Sequence, residues 1–278
     1  MTDRNLTPAA MDNYLQTARL AAQAGAQVLR ARWGGRLQVE PKQRFDFVTD
    51  ADLASQEAVL AVIRARHPGH EVLAEETPAD QARLASEQGP LWVVDPLDGT
   101  TNYIHGVPHV AVSVALVQQG RPQAGVVLDV MHEEEFSAVR GQGAWLAGRP
   151  LHVAESQGLE RALLMTGFPF RRKDLLDPYL ALFRDIFEQT AGVRRAGSAA
   201  LDLAYVAAGR GQGFWELGLS PWDVAAGILL VEEAGGVVSD FAGGDGALWG
   251  GDVVAAAPGL HPWLQRACAR RFPAGSRS

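Results

Sequence analysis

Apolar residues first recur at helical spacing. Met11, Tyr14, Leu15, Ala18, Ala22, Ala26 and Leu29 share one face, behind Thr7-Pro8, an N-cap followed by proline at the first helical position. The pattern predicts a helix from about residue 8. A second helix is expected from about Asp50 to Arg66, with Leu53, Val59, Leu60 and Ile63 on its apolar side and His67-Pro68-Gly69 ending it. The period then shortens. Glu71 to Ala74 and Leu91 to Val94 read as short strands, the second ending at Asp95. Val110 to Val117 is apolar on both faces, as a buried central strand is. Strands at 124–130 and 136–140 follow, and then a glycine-rich break, Gly141-Gln-Gly143 and Gly148-Arg-Pro150. Thr166 to Phe170 reads as a strand leading into a loop. Helices are expected at 176–189, 198–208, 222–234 and 261–271, and strands near 213–217, 236–239 and 252–256. This is an α/β chain organised as one unit over residues 8–270, with lobes of about 8–150 and 151–270.

Composition narrows the class. Of 278 residues, 47% are apolar and 21% charged, enough to bury a sizeable core, which excludes disordered, collagen-like and coiled-coil chains. Lys plus Arg is 25 and Asp plus Glu is 32, a net charge of −7. That balance argues against non-specific binding to nucleic acid or an anionic membrane. An anionic substrate would then need positive charge supplied locally, and bound metal is the candidate. The one cysteine, Cys268, excludes an intramolecular disulfide or a cysteine-rich metal site. Met1 to Asn5 shows no apolar leader, and runs such as Val224 to Val231 are too short to span a bilayer. A soluble cytoplasmic protein is expected.

Four segments carry candidate chemistry: Asp46 to Asp52, Glu75-Glu76, Asp95 to Asn102, and Trp222-Asp223. Asp95 ends an apolar strand, where α/β proteins place ligands. Pro96 bends the chain so that Asp95 and Asp98 can face one point, with the Leu97 carbonyl as a further oxygen donor for a hard cation. Gly99 permits close backbone approach, and the Gly99 and Thr100 amides can receive an anion. Each segment alone has a plainer reading. Asp-Pro-x-Asp-Gly is also a turn sequence, Glu75-Glu76 a solvated acidic pair, Asp223 a helix cap, and Asp46, Asp50 and Asp52 caps of the helix starting there.

Other motifs fail their context. Gly209-Arg-Gly211-Gln-Gly213 follows a helix rather than a strand, so it is no dinucleotide fingerprint. His105 and His109 are separated by Gly106 and Pro108 and cannot share a helical face as a zinc pair. Arg171-Arg172-Lys173 reads as a solvated or interface loop.

Taken together, the segments resemble the inositol monophosphatase family of magnesium-dependent, lithium-sensitive phosphatases. Asp95-Pro-Leu-Asp98-Gly-Thr-Thr-Asn102 is similar to the family's Asp-Pro-(Ile/Leu)-Asp-Gly-Thr-Thr-Asn box, and Trp222-Asp223-Val-Ala-Ala226 to its Trp-Asp-x-Ala box. Thr166 to Phe170 and Gly197 to Ala204 look most like the bacterial branch. The resemblance implies a layered αβαβα sandwich and a homodimer. It also implies roles. Glu75, Asp95 and the Leu97 carbonyl resemble ligands of a first Mg²⁺, and Asp95, Asp98 and Asp223 those of a second. A third ion would sit near Glu75 and Glu76. Thr100 and Asp52 resemble the pair that orients the attacking water, and the Gly99 and Thr100 amides the phosphate site. Ala199, Glu216 and Asp223 fall where the family contacts its substrate. Ala74 and Tyr103 depart from the usual Gly and Phe without touching a ligand side chain.

The physics is compatible with these roles. Carboxylates crowded at one spot repel each other, and two or three Mg²⁺ ions would neutralise them and activate water. The implied activity is hydrolysis of inositol 1-phosphate, a small phosphomonoester. Histidinol phosphate, fructose 1,6-bisphosphate, NADP and 3′-phosphoadenosine 5′-phosphate are rival substrates, the last disfavoured by Thr101-Asn102-Tyr103. The rival from another class is a regulatory protein on this fold, with a partner in transcription or RNA processing and no direct grip on nucleic acid.

Overall fold

The computed structural model describes residues 7–273 apart from 44, 45, 156 and 171. The first half builds a seven-stranded sheet with two helices packed on it. Helix α1 (Pro8–Arg32) starts at the Thr7 cap, whose hydroxyl accepts from Ala10 N. A hairpin of β1 (Val39–Gln43) and β2 (Asp46–Thr49) leads into α2 (Asp50–Arg66). Then come β3 (Glu71–Ala74), the short α3 (Gln81–Ala85), β4 (Leu91–Asp98), the short α4 (Thr100–Ile104), β5 (Ala111–Gln118), β6 (Arg121–Asp129), β7 (Glu135–Val139), β8 (Gly143–Leu146) and β9 (Arg149–Pro150). The sheet order is β3-β4-β5-β6-β7-β8-β9, parallel between β3 and β4 and antiparallel thereafter.

The second half contributes β10 (Leu163–Thr166), α5 (Leu176–Phe187), β11 (Gly192–Arg194), α6 (Ala199–Ala207), β12 (Gly213–Leu217), α7 (Pro221–Glu233), β13 (Val237–Ser239), β14 (Asp252–Ala256) and α8 (His261–Arg271). Its five-stranded sheet runs β11-β10-β12-β14-β13.

Alternation along the strands sorts side chains into three cores. Trp92 and Val94 of β4, with Val112, Val114 and Leu116 of β5, face α1 and α2. Their neighbours Leu91, Val93, Ala111, Ala115 and Val117 face the opposite way, onto α6 and α7. Phe214, Val253 and Ala255 close that middle core from the second sheet. Trp215, Leu217, Val254 and Ala256, on the second sheet's other face, pack under α5 and α8. The layers are therefore helix, sheet, helix, sheet, helix, the αβαβα sandwich expected. The middle layer is packed through small residues. A methyl group added to Gly227 would lie 2.6 Å from Leu203 Cβ, and one on Gly125 would lie 3.1 Å from Ala226 Cα.

Several expectations shift. The strand placed at Thr166 to Phe170 lies earlier, at Leu163–Thr166, because its partners are Gly192 to Arg194 on one side and Gly213 to Trp215 on the other. Strand β4 continues past Asp95 to Asp98, with its register against β5 broken between the two residues where Pro96 bends it. Leu53 is 52% exposed, while Asp52, Ser55 and Gln56 take buried positions on α2. Among the described residues no helix is long and apolar enough to cross a membrane. Met1 to Asn5 and Arg171 lie outside the described residues.

Candidate active site

The first two acidic residues come from the end of β4. Leu97 N donates to Asp95 Oδ1 at 3.0 Å, a local Asx turn that fixes the carboxylate against its own backbone. Ser55 of α2 ties the bend down by donating to the Pro96 carbonyl at 2.8 Å. Asp98 is gripped from the other half of the chain: Ser198 Oγ, at 2.6 Å, and Ala200 N, at 2.7 Å, both donate to its Oδ2. Gly99 follows with φ +96°, and a Cβ there would meet the His109 carbonyl at 3.0 Å and the Gly197 carbonyl at 3.2 Å. Only glycine meets both demands. Thr100 then begins α4.

Cap and site overlap at two helix starts. Asp223 is the third residue of α7, and its Oδ2 accepts from Ser220 N at 2.7 Å, the reach-back of a capping box. Asp52 does the same at α2, accepting from Thr49 N at 2.9 Å, and its other oxygen accepts from the Thr100 hydroxyl at 3.0 Å. A capping role does not keep these aspartates from the cavity: Asp223 caps α7 through Oδ2 and lines the cavity, and Asp52 caps α2 through Oδ2 while its Oδ1 holds Thr100. Burial holds the Asp52 carboxyl above its ordinary range, opposed by the hydrogen bonds from Thr49 and Thr100.

Glu75 and Glu76 are not a solvated pair. Lys42 of β1 reaches across, 2.8 Å from Glu75 Oε1, and bridges to Glu76 as well. Burial works against the Lys42 charge, but the two glutamates outweigh it and hold the ammonium above its usual pKa. Burial, and then repulsion from Glu75, pushes Glu76 up to about 7.

A cavity of about 290 Å³ joins these groups. Glu75, Asp95, Leu97, Asp98, Thr100 and Asp223 line it on one side. Ala199 and Glu216 line it too, together with Gly167, Arg195 and Asp202. Gly99 is at its wall; Asp52 lies behind Thr100, fully buried. Ten of the residues singled out from the sequence therefore fall on or against one cavity; Glu76, paired with Lys42, and Asp50, paired with Arg32, are not among those lining it.

The charge there is unbalanced. Asp95 is 1% exposed, and burial together with repulsion from Glu75, Asp98 and Asp223 raises its carboxyl well above the ordinary range. Carboxylate and carbonyl oxygens are the donors a hard divalent cation takes, so the residues fit Mg²⁺ by chemistry. Among the described residues no three acids, imidazoles or thiols already stand in ligand geometry, and each acid has a protein partner instead.

Some groups escaped the sequence reading. Lys42 sits in a hairpin with no strand-like pattern. Ser198 carried a signal, as the cap of a predicted helix. So did Asp202, a charge inside the apolar run Ala199-Ala-Leu-Asp-Leu-Ala204. The histidines stay out of the cavity: His105 is exposed, and His109, whose carbonyl packs against Gly99, is not among the lining residues.

Comparison with known proteins agrees with the fold. A profile described as the inositol monophosphatase family matches residues 10–271. The chain is 53% identical over 223 residues, 79% of this chain and 81% of the other, to a Pseudomonas aeruginosa protein named Nus factor SuhB. Its structure is similar to extragenic suppressor protein suhB from Bartonella henselae, with TM-score 0.86, 38% identity and coverage of 91% of this chain and 97% of that one. It is also similar to inositol monophosphatase from Anabaena, with TM-score 0.82, 40% identity and coverage of 94% and 96%. With its layered fold, its acidic cavity and a family match over nearly its whole length, this chain belongs to the inositol monophosphatase family.

Proposed function

We propose that the chain is a Mg²⁺-dependent phosphomonoesterase that hydrolyses inositol 1-phosphate to inositol and phosphate. The observation that carries this reading is Asp95, a fully buried carboxylate repelled by three others around one open cavity. Such a cluster is costly without cations. Glu75, Asp95, Asp98, Asp223 and the Leu97 carbonyl would hold two to three Mg²⁺ ions. When bound, the ions supply charge for the phosphoryl oxygens and acidify water.

The protein's own groups do the rest. The Thr100 hydroxyl, anchored on Asp52, orients the attacking water. The Gly99 and Thr100 amides face the phosphate. Ala199 and Glu216 face the alcohol, where the Glu216 carboxylate accepts hydrogen bonds from ring hydroxyls. No histidine is required as acid or base. The family resemblance also supports a homodimer and sensitivity to lithium.

A panel of phosphomonoesters with and without Mg²⁺ tests this: inositol 1-phosphate, histidinol phosphate, fructose 1,6-bisphosphate, NADP and 3′-phosphoadenosine 5′-phosphate. Inositol 1-phosphate should give the highest kcat/KM, and chelation should abolish release. A higher kcat/KM for another ester overturns the substrate, and release indifferent to chelation overturns the mechanism.

A second reading is supported by the name of the Pseudomonas aeruginosa relative, Nus factor SuhB. It gives this chain a partner in transcription in addition to a phosphatase site. Pull-down of identified transcription proteins with wild type and Asp98→Asn separates the two. Capture by both proteins would make the partner independent of catalysis, and capture by neither would remove this reading.

A further inference from the structure

The part of the cavity wall formed by β10, α6 and β12 has a feature the metal box does not explain. Glu216 lies on β12 and is 8% exposed. Strand β10 runs parallel beside it with Thr166 paired to Trp215, so the next residues in register are Gly167 and Glu216. A Cβ on Gly167 would stand 1.9 Å from Glu216 Oε1, 2.2 Å from its Cδ and 2.3 Å from Oε2. The carboxylate occupies the volume that any other residue at 167 would claim. Gly167 does not have the positive φ that reserves a position for glycine. Its bareness therefore serves the space and not the backbone.

Asp202 of α6 lines the same cavity, is 1% exposed, and its Oδ1 has no hydrogen-bond partner. Buried polar atoms are almost always paired, so this orphan beside the cavity is a group that the fold itself leaves unsatisfied. Burial, and then repulsion from Glu216 and Asp98, holds this carboxyl well above its ordinary range against the pull of Arg195. Arg195 itself is exposed and stands 6.0 Å over the Phe168 ring, at the rim.

We propose that Gly167 and Asp202 set the substrate specificity of the site. The bare backbone at 167 seats the Glu216 carboxylate in the cavity, and Asp202 adds a second acid beside it. Together they make a floor that takes the hydroxyl-bearing part of a polyol phosphate, and the Glu216 carboxylate disfavours a second anionic group. This rests on the phosphomonoesterase reading above and assigns the selectivity of that site to two residues outside the metal box.

The test uses the full chain with Mg²⁺. Because the atoms in the way are the far end of a side chain rather than backbone, Gly167→Ala should fold with Glu216 turned aside. It should lower kcat/KM for inositol 1-phosphate about tenfold more than for p-nitrophenyl phosphate, the loss expected when a polar group loses its buried partner. In a Glu216→Ala background the same change should have no further effect on that ratio, because Gly167 acts through Glu216. Asp202→Asn should lower kcat/KM for inositol 1-phosphate about threefold more than for p-nitrophenyl phosphate, the loss of one hydrogen-bonding group on the polyol side. Equal losses of Gly167→Ala on both esters, or a loss that persists without Glu216, would overturn the proposal. If wild type releases phosphate from no ester, the phosphatase reading fails instead. Calorimetric binding of inositol 1-phosphate then decides this one: equal affinity for wild type and Gly167→Ala overturns it, and weaker binding by the variant sustains it.

Discussion

The Thr100 hydroxyl donates to Asp52 Oδ1 across 3.0 Å, and Asp52 is held in turn by Thr49, whose N–H reaches Oδ2 at 2.9 Å. A residue at the head of one helix is thus aimed by a buried carboxylate at the head of another. Thr100→Ala should lower kcat by roughly tenfold to a hundredfold, with a smaller change in KM, because positioning is felt chiefly in the transition state. Thr100→Ser should recover most of the loss. Steady-state kinetics on both variants checks this; a change confined to KM would contradict the role.

Asp98→Asn should abolish turnover with the fold retained. Asparagine keeps an oxygen to accept from Ala200 N, so the clamp between the halves survives, and the repulsion that Asp98 exerts on Asp95 is relieved. The measurements are phosphate release at saturating Mg²⁺ and the melting temperature. Wild-type turnover would remove Asp98 from the site.

Mg²⁺ should stabilise the folded chain. An ion that binds only the native state at a hundred times its Kd adds about 2.7 kcal/mol. Thermal unfolding with Mg²⁺ and with chelator reads the difference. The rise should shrink sharply in Asp95→Asn, since Asp95 is the buried centre of the cluster. An undiminished rise in that variant would place the ion elsewhere.

Two histidines remote from the cavity should each cost stability in mild acid. His67 and His70 stack at 4.7 Å between α1, the end of α2 and β4. Trp92 Nε1 donates to His70 Nδ1 at 3.1 Å, which requires that nitrogen to be unprotonated. Burial lowers both histidines, and His70 and Arg66 lower His67 further. The unfolded chain then takes up protons more readily than the folded one, so stability is lost as pH drops below about 6.5. The raised carboxyls at the cavity, Glu76 among them, titrate in the opposite sense, so the histidine part is read as a difference: between pH 7.5 and 5.5 the denaturant midpoint of wild type should drop relative to that of His70→Asn. An equal change in both proteins sinks the assignment.

Where the chain's pattern was strong, the structure follows it closely. Helix α8 spans the expected 261–271, and α5, α6 and α7 each end within two residues of expectation. The Asp95 to Asn102 segment was legible because Asp, Pro and Gly each impose a local geometry that shows in sequence. The β1–β2 hairpin was not, since Val39-Glu-Pro-Lys-Gln43 neither alternates nor runs apolar. Its Lys42 finds its partners far along the chain, in Glu75 and Glu76. Leu53 misled because α2 turns polar residues inward: Asp52 toward Thr100 and Ser55 toward Pro96. Helical periodicity assumes that the buried face is apolar, and beside this site it is not.

The tight middle layer has a bearing on how such a protein can vary. Asp223 lies four residues, about 6 Å of helix rise, from Gly227, which leaves no room for a methyl group against Leu203. The place of a carboxylate at the cavity is therefore inherited from a volume match that never meets a ligand. Positions 203 and 227 are free to change only as a pair, a larger residue at one with a smaller at the other. A single enlargement would slide α7 along its neighbours and misplace Asp223 while most of the core stayed intact. Drift in this layer would reach the chemistry before it reached the melting temperature.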